Sequence, residues 1–307
     1  MQYSTPPTTP ALARTPIARR AGLQFLFAAA LLGACGGGSN APATVAPPPS
    51  GSSDAPAPSA SPTPPTPPAP PTTGPVQVVE VATGLANPWG LAFLPDGNML
   101  VTEKAGTLRI VTPAGVKSNP ISGVPAVDSA NQGGLLDVVL DPAFASNQRI
   151  YFSFAEKDAA NTALNSTAVA RAELDATGLK LNNVTVIYQQ LPKVQSTGHY
   201  GSRLVFDNSG HLFVTMGERQ NPAPAQDLTF GHGKVVRITT NGDAAPGNPV
   251  VANSTVKGLW SWGHRNPQGA ALHPTSGELW TNEHGPQGGD EVNRTLAGKN
   301  YGWPVIS

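Results

Sequence analysis

WGLAFLPDGNMLVTEK, residues 89–104, sets a pattern that recurs along this chain. The pattern is a run of apolar residues, a turn rich in Pro, Asp, Asn, Ser or Gly, and a second run of residues that favour strands. Further copies occupy residues 134–155, 201–219 and 268–286. Two short apolar runs around a tight turn, with no helical periodicity, are typical of a β-hairpin. The sequence therefore predicts four hairpins.

Additional strand-like segments follow three of these hairpins, at residues 107–111, 168–173 and 234–239. The strand groups recur about every 45 to 68 residues and are separated by Gly-rich turns. This self-similarity favours an all-β fold of the β-propeller type over a sandwich or a jelly roll. The repeats correspond to about four blades, which fits either a four-bladed propeller or part of a larger one.

Residues 1–35 have the pattern of a bacterial lipoprotein signal peptide. Three arginines precede an apolar run at residues 23–34, and this run is shorter than the roughly 20 residues of a membrane-spanning helix. The run ends in LGAC, which resembles a lipobox, and Cys35 is the only cysteine. We expect export, lipid attachment at Cys35 and an outer-membrane anchor facing the periplasm, because Gly36 rather than Asp follows. An ordinary cleavage site is the alternative, and the export route stays open.

The rest of the chain divides sharply by composition. Residues 36–75 contain 14 prolines, and Ala, Ser, Thr and Gly make up almost all the rest. Such a segment has too little apolar surface to offset the entropy lost on ordering, so we expect a disordered linker. Residues 76–307 have a globular composition and form the predicted propeller domain, which is incomplete if the propeller has more than four blades.

Charge and cysteine content exclude two classes of protein. The 19 Lys and Arg residues balance 19 Asp and Glu residues, and only 12% of the chain is charged. No basic face is therefore expected for a nucleic-acid partner. One cysteine excludes an internal disulfide framework and a cysteine-based zinc cluster. Membrane contact is expected through the lipid anchor only.

Polar residues precede the inner strand of three predicted blades. Gln132, His199 and the pair Arg265 and Asn266 occupy the same place in the repeat, so we expect them to converge at one mouth of a central channel. Glu218 lies at the far end of the His199 hairpin. Each residue also has an ordinary interpretation, as a surface or capping residue, an ion-pair partner between blades or part of a flexible turn.

The loop at residues 283–291, EHGPQGGDE, is a candidate metal site. Carboxylates combined with Gly and Pro suit a loop whose backbone carbonyls face a hard cation such as calcium. The spacing does not match an EF-hand loop.

From about residue 78 to residue 307 the sequence resembles the soluble glucose/sorbosone dehydrogenases that depend on pyrroloquinoline quinone (PQQ), and within them the bacterial aldose sugar dehydrogenases. The matching stretches are residues 87–98, 132–145, 198–219, 225–239 and 263–305. The resemblance implies a six-bladed β-propeller, of which about four blades are present here.

The resemblance also implies roles for the channel residues. His199 matches the general base that takes the proton of the anomeric hydroxyl while hydride leaves C1 for PQQ, a task for which imidazole is suited. Glu218 matches an Asp that orients this base, at the same spacing but with a longer side chain. Gln132 matches an amide near cofactor and sugar, and Arg265 and Asn266 match cofactor ligands.

Four more residues match metal-binding positions of the family. Gly285 and Pro286 match residues whose backbone carbonyls bind a calcium ion beside the quinone. Glu291 and Tyr301 match positions that hold a second, structural calcium in relatives. Further basic groups that reach the cofactor in relatives come from the last third of the propeller, and no residue here is assigned that role.

The function that follows is oxidation of the C1 hydroxyl of aldose sugars to lactones, with PQQ and calcium and an unidentified electron acceptor. A non-catalytic carbohydrate-binding or scaffold propeller on the cell envelope is the alternative. A hydrolytic propeller like the gluconolactonases is disfavoured, because Gln132, His199 and Arg265 stand where that class needs metal-binding carboxylates and Asn. The residues do not identify the aldose, the acceptor or the oligomeric state.

Overall fold

The structure is a computed structural model that describes residues 76–306. The predicted signal peptide at residues 1–35, lipid attachment at Cys35 and linker at residues 36–75 lie outside the described residues and stay predictions. In the part of the chain that is described, no helix is long and apolar enough to cross a membrane.

Strands make up nearly all regular structure between residues 76 and 306. In chain order they are β1 Pro88–Phe93, β2 Met99–Glu103, β3 Thr107–Val111, β4 Leu135–Leu140, β5 Arg149–Lys157, β6 Asn165–Leu174, β7 Leu181–Gln189, β8 Leu204–Phe206, β9 Leu212–Met216, β10 Lys234–Ile238, β11 Leu259–Trp262, β12 Pro267–Leu272, β13 Leu279–Glu283, β14 Glu291–Arg294 and β15 Lys299–Asn300. The helical elements described are α1 Phe144–Asn147 and a 3-10 turn at Ala223–Ala225.

The strands form four sheets within the described residues. The first sheet is β1-β2-β3, the second β4-β5-β6-β7, the third β8-β9-β10-β11-β15 and the fourth β12-β13-β14. Neighbouring strands are antiparallel, except that β15 pairs with β11 in parallel. The prediction of an all-β fold is confirmed, and each sheet contains one of the four predicted hairpins. The number of blades stays a prediction.

Turn chemistry explains where the hairpins reverse. In the third sheet, the Asp207 carboxylate accepts hydrogen bonds from the backbone N–H groups of Ser209 and His211. Gly210 between them has a φ of 77°, a left-handed conformation that glycine adopts without strain. The Asp-x-x-Gly pattern of the sequence therefore specifies this turn locally.

Buried hydroxyl groups connect each of the first three sheets to its successor. A hydroxyl on the second strand of one sheet donates to a backbone carbonyl in, or just before, the first strand of the next sheet. The bonds are Thr102 to Leu136 at 2.5 Å, Ser153 to Ser202 at 2.7 Å and Thr215 to Pro267 at 2.8 Å. The strands β1, β4, β8 and β12 consequently lie in series, with β4 contacting β1 and β8, and β8 contacting β12. The loops before these strands can therefore meet at one end.

The apolar core lies between successive sheets. One cluster joins the first and second sheets through fully buried side chains that include Leu100, Leu135, Ile150 and Phe152. A second joins the second and third sheets around Tyr151 and includes Leu212, Val214 and Val236. Fully burying a large apolar side chain contributes roughly 1.5–3 kcal/mol. These clusters fix the sheets, and so the loops that carry polar groups.

Candidate functional site

His199 and Glu218 form a buried hydrogen-bonded pair. His199 lies in the loop before β8 and Glu218 just after β9, and these two strands pair antiparallel. The distance from His199 Nδ1 to Glu218 Oε2 is 2.6 Å, and Glu218 is 2% exposed. A carboxylate only accepts hydrogen bonds, so Nδ1 carries the hydrogen and the neutral ring keeps its lone pair on Nε2. The longer side chain of Glu218, compared with Asp, thus reaches the ring.

Gln132 meets His199 from the second sheet. Its side-chain oxygen Oε1 accepts a hydrogen bond of 2.8 Å from the backbone N–H of His199. The two residues are far apart in sequence, and they meet because the loops before β4 and β8 open at the same end of neighbouring strands. Gln132 therefore fixes the backbone of the loop that carries the imidazole.

Arg265 and Asn266 join the same cluster from the loop before β12. The backbone N–H of Glu218 donates to the carbonyl of Arg265 at 2.9 Å. The side chain of Asn266, which is buried, accepts from the backbone N–H of Gly201 at 3.0 Å. The structure thus brings Gln132, His199, Glu218, Arg265 and Asn266 together, while their chemical roles stay predictions.

The backbone around the His199–Glu218 pair is strained. Four non-glycine residues there adopt positive φ angles: His199 at 51°, Ser202 at 88°, Arg219 at 64° and Gln220 at 59°. Side chains with a Cβ disfavour this region, at a cost of order 1–3 kcal/mol each. Such conformations persist where surrounding contacts over-determine them, and they concentrate at functional sites.

Arg219 supplies those contacts, and sequence reasoning did not identify it. The side chain is 1% exposed and donates to the backbone carbonyls of Ser196, at 2.6 Å, and Gly198. It also donates to the side chain of Asn165 at 2.5 Å, and its guanidinium carbon lies 3.4 Å from the ring centre of Tyr200. Burial lowers the pKa of this guanidinium, which still keeps its charge. Arg219 therefore holds the backbone segment that leads into His199.

A cavity of about 580 Å³ reaches Glu218 of the pair, whereas His199 itself is not among its lining residues. Its lining includes Thr197, Glu218, Gln220, Phe230 and His232. Burial first, and then the positive charges of Arg219 and Lys234, lower the pKa of His232 to about 4. The His232 ring is consequently neutral at pH 7. The cavity combines amide, carboxylate and hydroxyl groups with the rings of Phe230 and His232, a mixture that suits a polar ligand with many hydroxyl groups.

The loop from 283 to 291 folds into a second, tighter pocket. Residues that line this pocket are Arg265, Glu283, His284, Gly285, Pro286, Gly289, Glu291 and Trp303. The backbone N–H of Gly285 donates to the Asp290 carboxylate at 2.8 Å, and a Cβ on Gly285 would clash with the carbonyl of Gly288. Backbone carbonyls therefore pack closely in this loop, and only a residue without a Cβ fits at position 285.

Tyr301 does not line this pocket. Its hydroxyl donates to the backbone carbonyl of Arg294 and accepts from the backbone N–H of Leu296 at 2.7 Å. Its ring stacks on His264, with ring centres 4.8 Å apart. The structure thus groups Glu291 with Gly285 and Pro286, whereas the Tyr301 hydroxyl is bonded to the backbone of Arg294 and Leu296. In the described residues, no group of three or more His, Cys, Asp and Glu side chains has metal-binding geometry.

The donors and acceptors around this pocket are of the chemical kinds that PQQ and calcium would require. Nε of Arg265 and Nε1 of Trp303 are buried and have no hydrogen-bond partner within residues 76–306. Buried donors without acceptors are costly, so these two atoms indicate a missing acceptor, such as a carboxylate of PQQ. The carbonyls of Gly285 and Pro286 are hard oxygen donors of the kind that calcium prefers, and the carboxylate of Glu291 is another donor of this kind in the same pocket.

The chain is similar to known proteins. A sequence model of the family described as Glucose / Sorbosone dehydrogenase matches residues 85–307. The aldose sugar dehydrogenase YliI of Escherichia coli is 45% identical over 234 residues, which cover 76% of this chain and 62% of that protein. The apo structure of the soluble aldose sugar dehydrogenase of Escherichia coli is 45% identical, with a TM-score of 0.70, covering 73% of this chain and 65% of that one. The PQQ-bound aldose sugar dehydrogenase of Streptomyces coelicolor is 33% identical, with a TM-score of 0.66, covering 74% and 65%.

The chain spans less than two thirds of the length of each of these three relatives. Its nearly all-β arrangement in several sheets is consistent with the β-propeller fold of these neighbours. The matched region contains all the channel residues that meet around His199.

Proposed function

Because this chain belongs to the glucose/sorbosone dehydrogenase family, we propose that it oxidises the C1 hydroxyl of aldose sugars to lactones, with PQQ and calcium. The substrate is an aldose, and the electrons pass to an acceptor that the residues do not identify. The proposal extends to the blade count, with the four sheets forming four blades of a six-bladed propeller.

The His199–Glu218 hydrogen bond is the observation that carries this proposal. At 2.6 Å from Nδ1, the buried carboxylate holds the ring in the tautomer whose Nε2 can accept a proton. Glu218 also stabilises the positive charge that the ring acquires on protonation. Within the described chain, no hydrogen bond occupies Nε2. His199 therefore has the features of a general base.

In the proposed reaction His199 handles the proton, while PQQ and calcium would supply the redox and Lewis-acid chemistry. His199 takes the proton of the C1 hydroxyl at Nε2 and holds it as imidazolium. PQQ, when bound, would supply the two-electron acceptor for the hydride of C1 and calcium a Lewis acid, so that the sugar would lose two electrons and two hydrogens in all. Gln132 fixes the loop of His199 through its backbone N–H, and Arg219 prevents that loop from relaxing.

The pocket residues would hold the cofactor and the metal. Nε of Arg265 is buried and has no partner within residues 76–306, so this guanidinium would be available to a carboxylate of PQQ, and Asn266 is the next residue in the chain. The carbonyls of Gly285 and Pro286 would bind calcium. We assign Glu291 and Tyr301 to a second, structural calcium, for which the Tyr301 hydroxyl would have to leave its present backbone partners.

The proposal also includes the cellular setting. Residues 1–35 would be a lipoprotein signal peptide, lipid would be attached at Cys35, and residues 36–75 would form a disordered linker. The domain would then face the periplasm from the outer membrane. Mass spectrometry of the mature N-terminus of the expressed protein tests this: a lipidated Cys35 supports it, and an unmodified residue 35 contradicts it.

The test of the function is a dye-linked assay of the protein loaded with PQQ and calcium. Several aldoses should reduce the dye and yield lactones, and omission of PQQ should abolish the signal. Sugar binding detected by calorimetry, without dye reduction in the PQQ-loaded protein, would instead favour a carbohydrate-binding or scaffold propeller.

A further inference from the structure

A second His–Glu pair lies in the fourth sheet, next to the first pair. His264 Nδ1 is 2.8 Å from Glu283 Oε1, and the two residues are 19 positions apart, as are His199 and Glu218. His264 precedes β12, and Glu283 is the last residue of β13. Each pair therefore links the loop before the first strand of a hairpin to the end of its second strand, and both pairs lie at the same end of neighbouring sheets.

The second pair differs in access. His264 is fully buried, and its Nε2 is hydrogen-bonded to the Ser261 hydroxyl at 2.8 Å. One face of the ring is covered by Tyr301. Both ring nitrogens are thus hydrogen-bonded to side chains of the protein, so His264 cannot exchange protons with a substrate.

Glu283 is a buried carboxylate whose two oxygens both accept hydrogen bonds. Its Oε1 lies 2.8 Å from His264 Nδ1 and accepts a further bond of 3.2 Å from the Asn293 side chain. Its second oxygen, Oε2, accepts from the N–H of Arg265 at 2.6 Å. A charged acceptor makes this bond stronger than one between neutral groups.

The backbone of Arg265 links the two pairs. The backbone N–H of Arg265 donates to Glu283, and the backbone carbonyl of Arg265 accepts from the N–H of Glu218 at 2.9 Å. Glu218 in turn holds His199 at 2.6 Å. A continuous series of hydrogen bonds therefore runs from Ser261 through His264, Glu283 and Arg265 to Glu218 and His199.

We infer that His264 and Glu283 are positioning residues, which fix the backbone of Arg265 and through it both the Arg265 guanidinium and the Glu218–His199 pair. The inference rests on the proposed function of His199 and Arg265. A purely structural pair would stabilise the fourth sheet without changing the geometry around His199, and the two cases are separable by experiment.

The experiment compares Glu283→Ala with Glu283→Gln in the full chain. Alanine removes the acceptor of the Arg265 N–H, whereas glutamine keeps an oxygen there and loses the charge. The matched control is Glu278→Ala, which removes the exposed pair with Arg294 from the same hairpin. Two signals are read: the Cε1–H resonance of His199 across a pH titration of the PQQ-free protein, and the affinity for PQQ by fluorescence titration.

Glu283→Ala is expected to shift the His199 titration and to weaken PQQ binding by about ten-fold or more, as for loss of a charged hydrogen bond. Glu283→Gln should recover most of both signals, and Glu278→Ala should resemble the wild type. If Glu283→Ala does not fold, Ser261→Ala replaces it, since that change frees the His264 ring and keeps Glu283. Shifts in the same direction are then expected.

The inference is wrong if folded Glu283→Ala, or Ser261→Ala in its place, leaves both signals at wild-type values. It is equally wrong if Glu278→Ala moves them as far. Because the His199 resonance is read without cofactor or sugar, a shifted resonance in a protein that oxidises no aldose would support the positioning role while contradicting the proposed function.

Discussion

The carboxylate of Glu218 lies 2.6 Å from Nδ1 of His199, across a hairpin that separates the two residues by 19 positions. The contact is buried, and the backbone on both sides has positive φ angles. The hairpin of β8 and β9 therefore fixes the imidazole of His199 with its Nδ1 hydrogen-bonded to Glu218.

The first prediction concerns the tautomer of His199. In Glu218→Gln the amide NH₂ can donate to Nδ1, which favours the tautomer with hydrogen on Nε2 and removes the base. We expect kcat for aldose oxidation to fall about 100-fold, with KM nearly unchanged. Steady-state kinetics of the PQQ-loaded protein measure this, with Glu278→Gln as the control. A kcat within about two-fold of the wild type contradicts the account.

The second prediction concerns the clamp made by Arg219. Arg219→Met leaves the carbonyls of Ser196 and Gly198 without donors in a buried setting. The free energy of unfolding should fall by about 3 kcal/mol, measured by urea denaturation. Arg149→Met, which removes a half-exposed pair with Glu173, should change it by less than about 0.5 kcal/mol. Equal effects of the two changes would argue against the clamp.

The third prediction concerns pH and His232. Its pKa is lowered to about 4 from 6.5, so the unfolded chain binds a proton that the folded chain excludes. Stability from this group is complete above pH 6.5 and is lost as pH falls through 4, by about 3 kcal/mol in total. Urea denaturation from pH 7 to pH 4 should therefore show a shallower loss for His232→Asn than for the wild type. His273→Asn, at the exposed turn before β13, should keep the wild-type slope, and a wild-type slope in both variants would exclude His232 as the cause.

The fourth prediction concerns the carbonyl-rich loop. A Cβ at position 285 would clash with the Gly288 carbonyl, so Gly285→Ala must move the backbone that would bind calcium. Calcium affinity measured by calorimetry should drop at least about ten-fold. Gln287→Ala, exposed in the same loop, should bind calcium like the wild type. Unchanged affinity in Gly285→Ala would remove this loop from the metal site.

The convergence of the channel residues was predictable because it depends on the repeat. Gln132, His199 and Arg265 each precede an inner strand, and inner strands that lie in series bring their preceding loops to one end. Periodicity in the sequence is enough to place them, although it does not give their partners.

The residues that support the site were not predictable in the same way. The Arg219 side chain meets Asn165 and Ser196, which come from other loops, 54 and 23 positions away. No local pattern separates such a buried arginine from an exposed one at the end of a strand. The spacing of 19 between His264 and Glu283 repeats that of His199 and Glu218, and this repetition is the one signal that could have revealed the second pair.

The most direct test of the central claim is a single turnover of the PQQ-loaded, calcium-containing protein with D-glucose, followed by the absorbance of the reduced cofactor. Bound PQQ should be reduced rapidly in the wild type and about 1000-fold more slowly in His199→Ala, with PQQ still bound. Reduction at the wild-type rate in His199→Ala would contradict the role of His199 as the base.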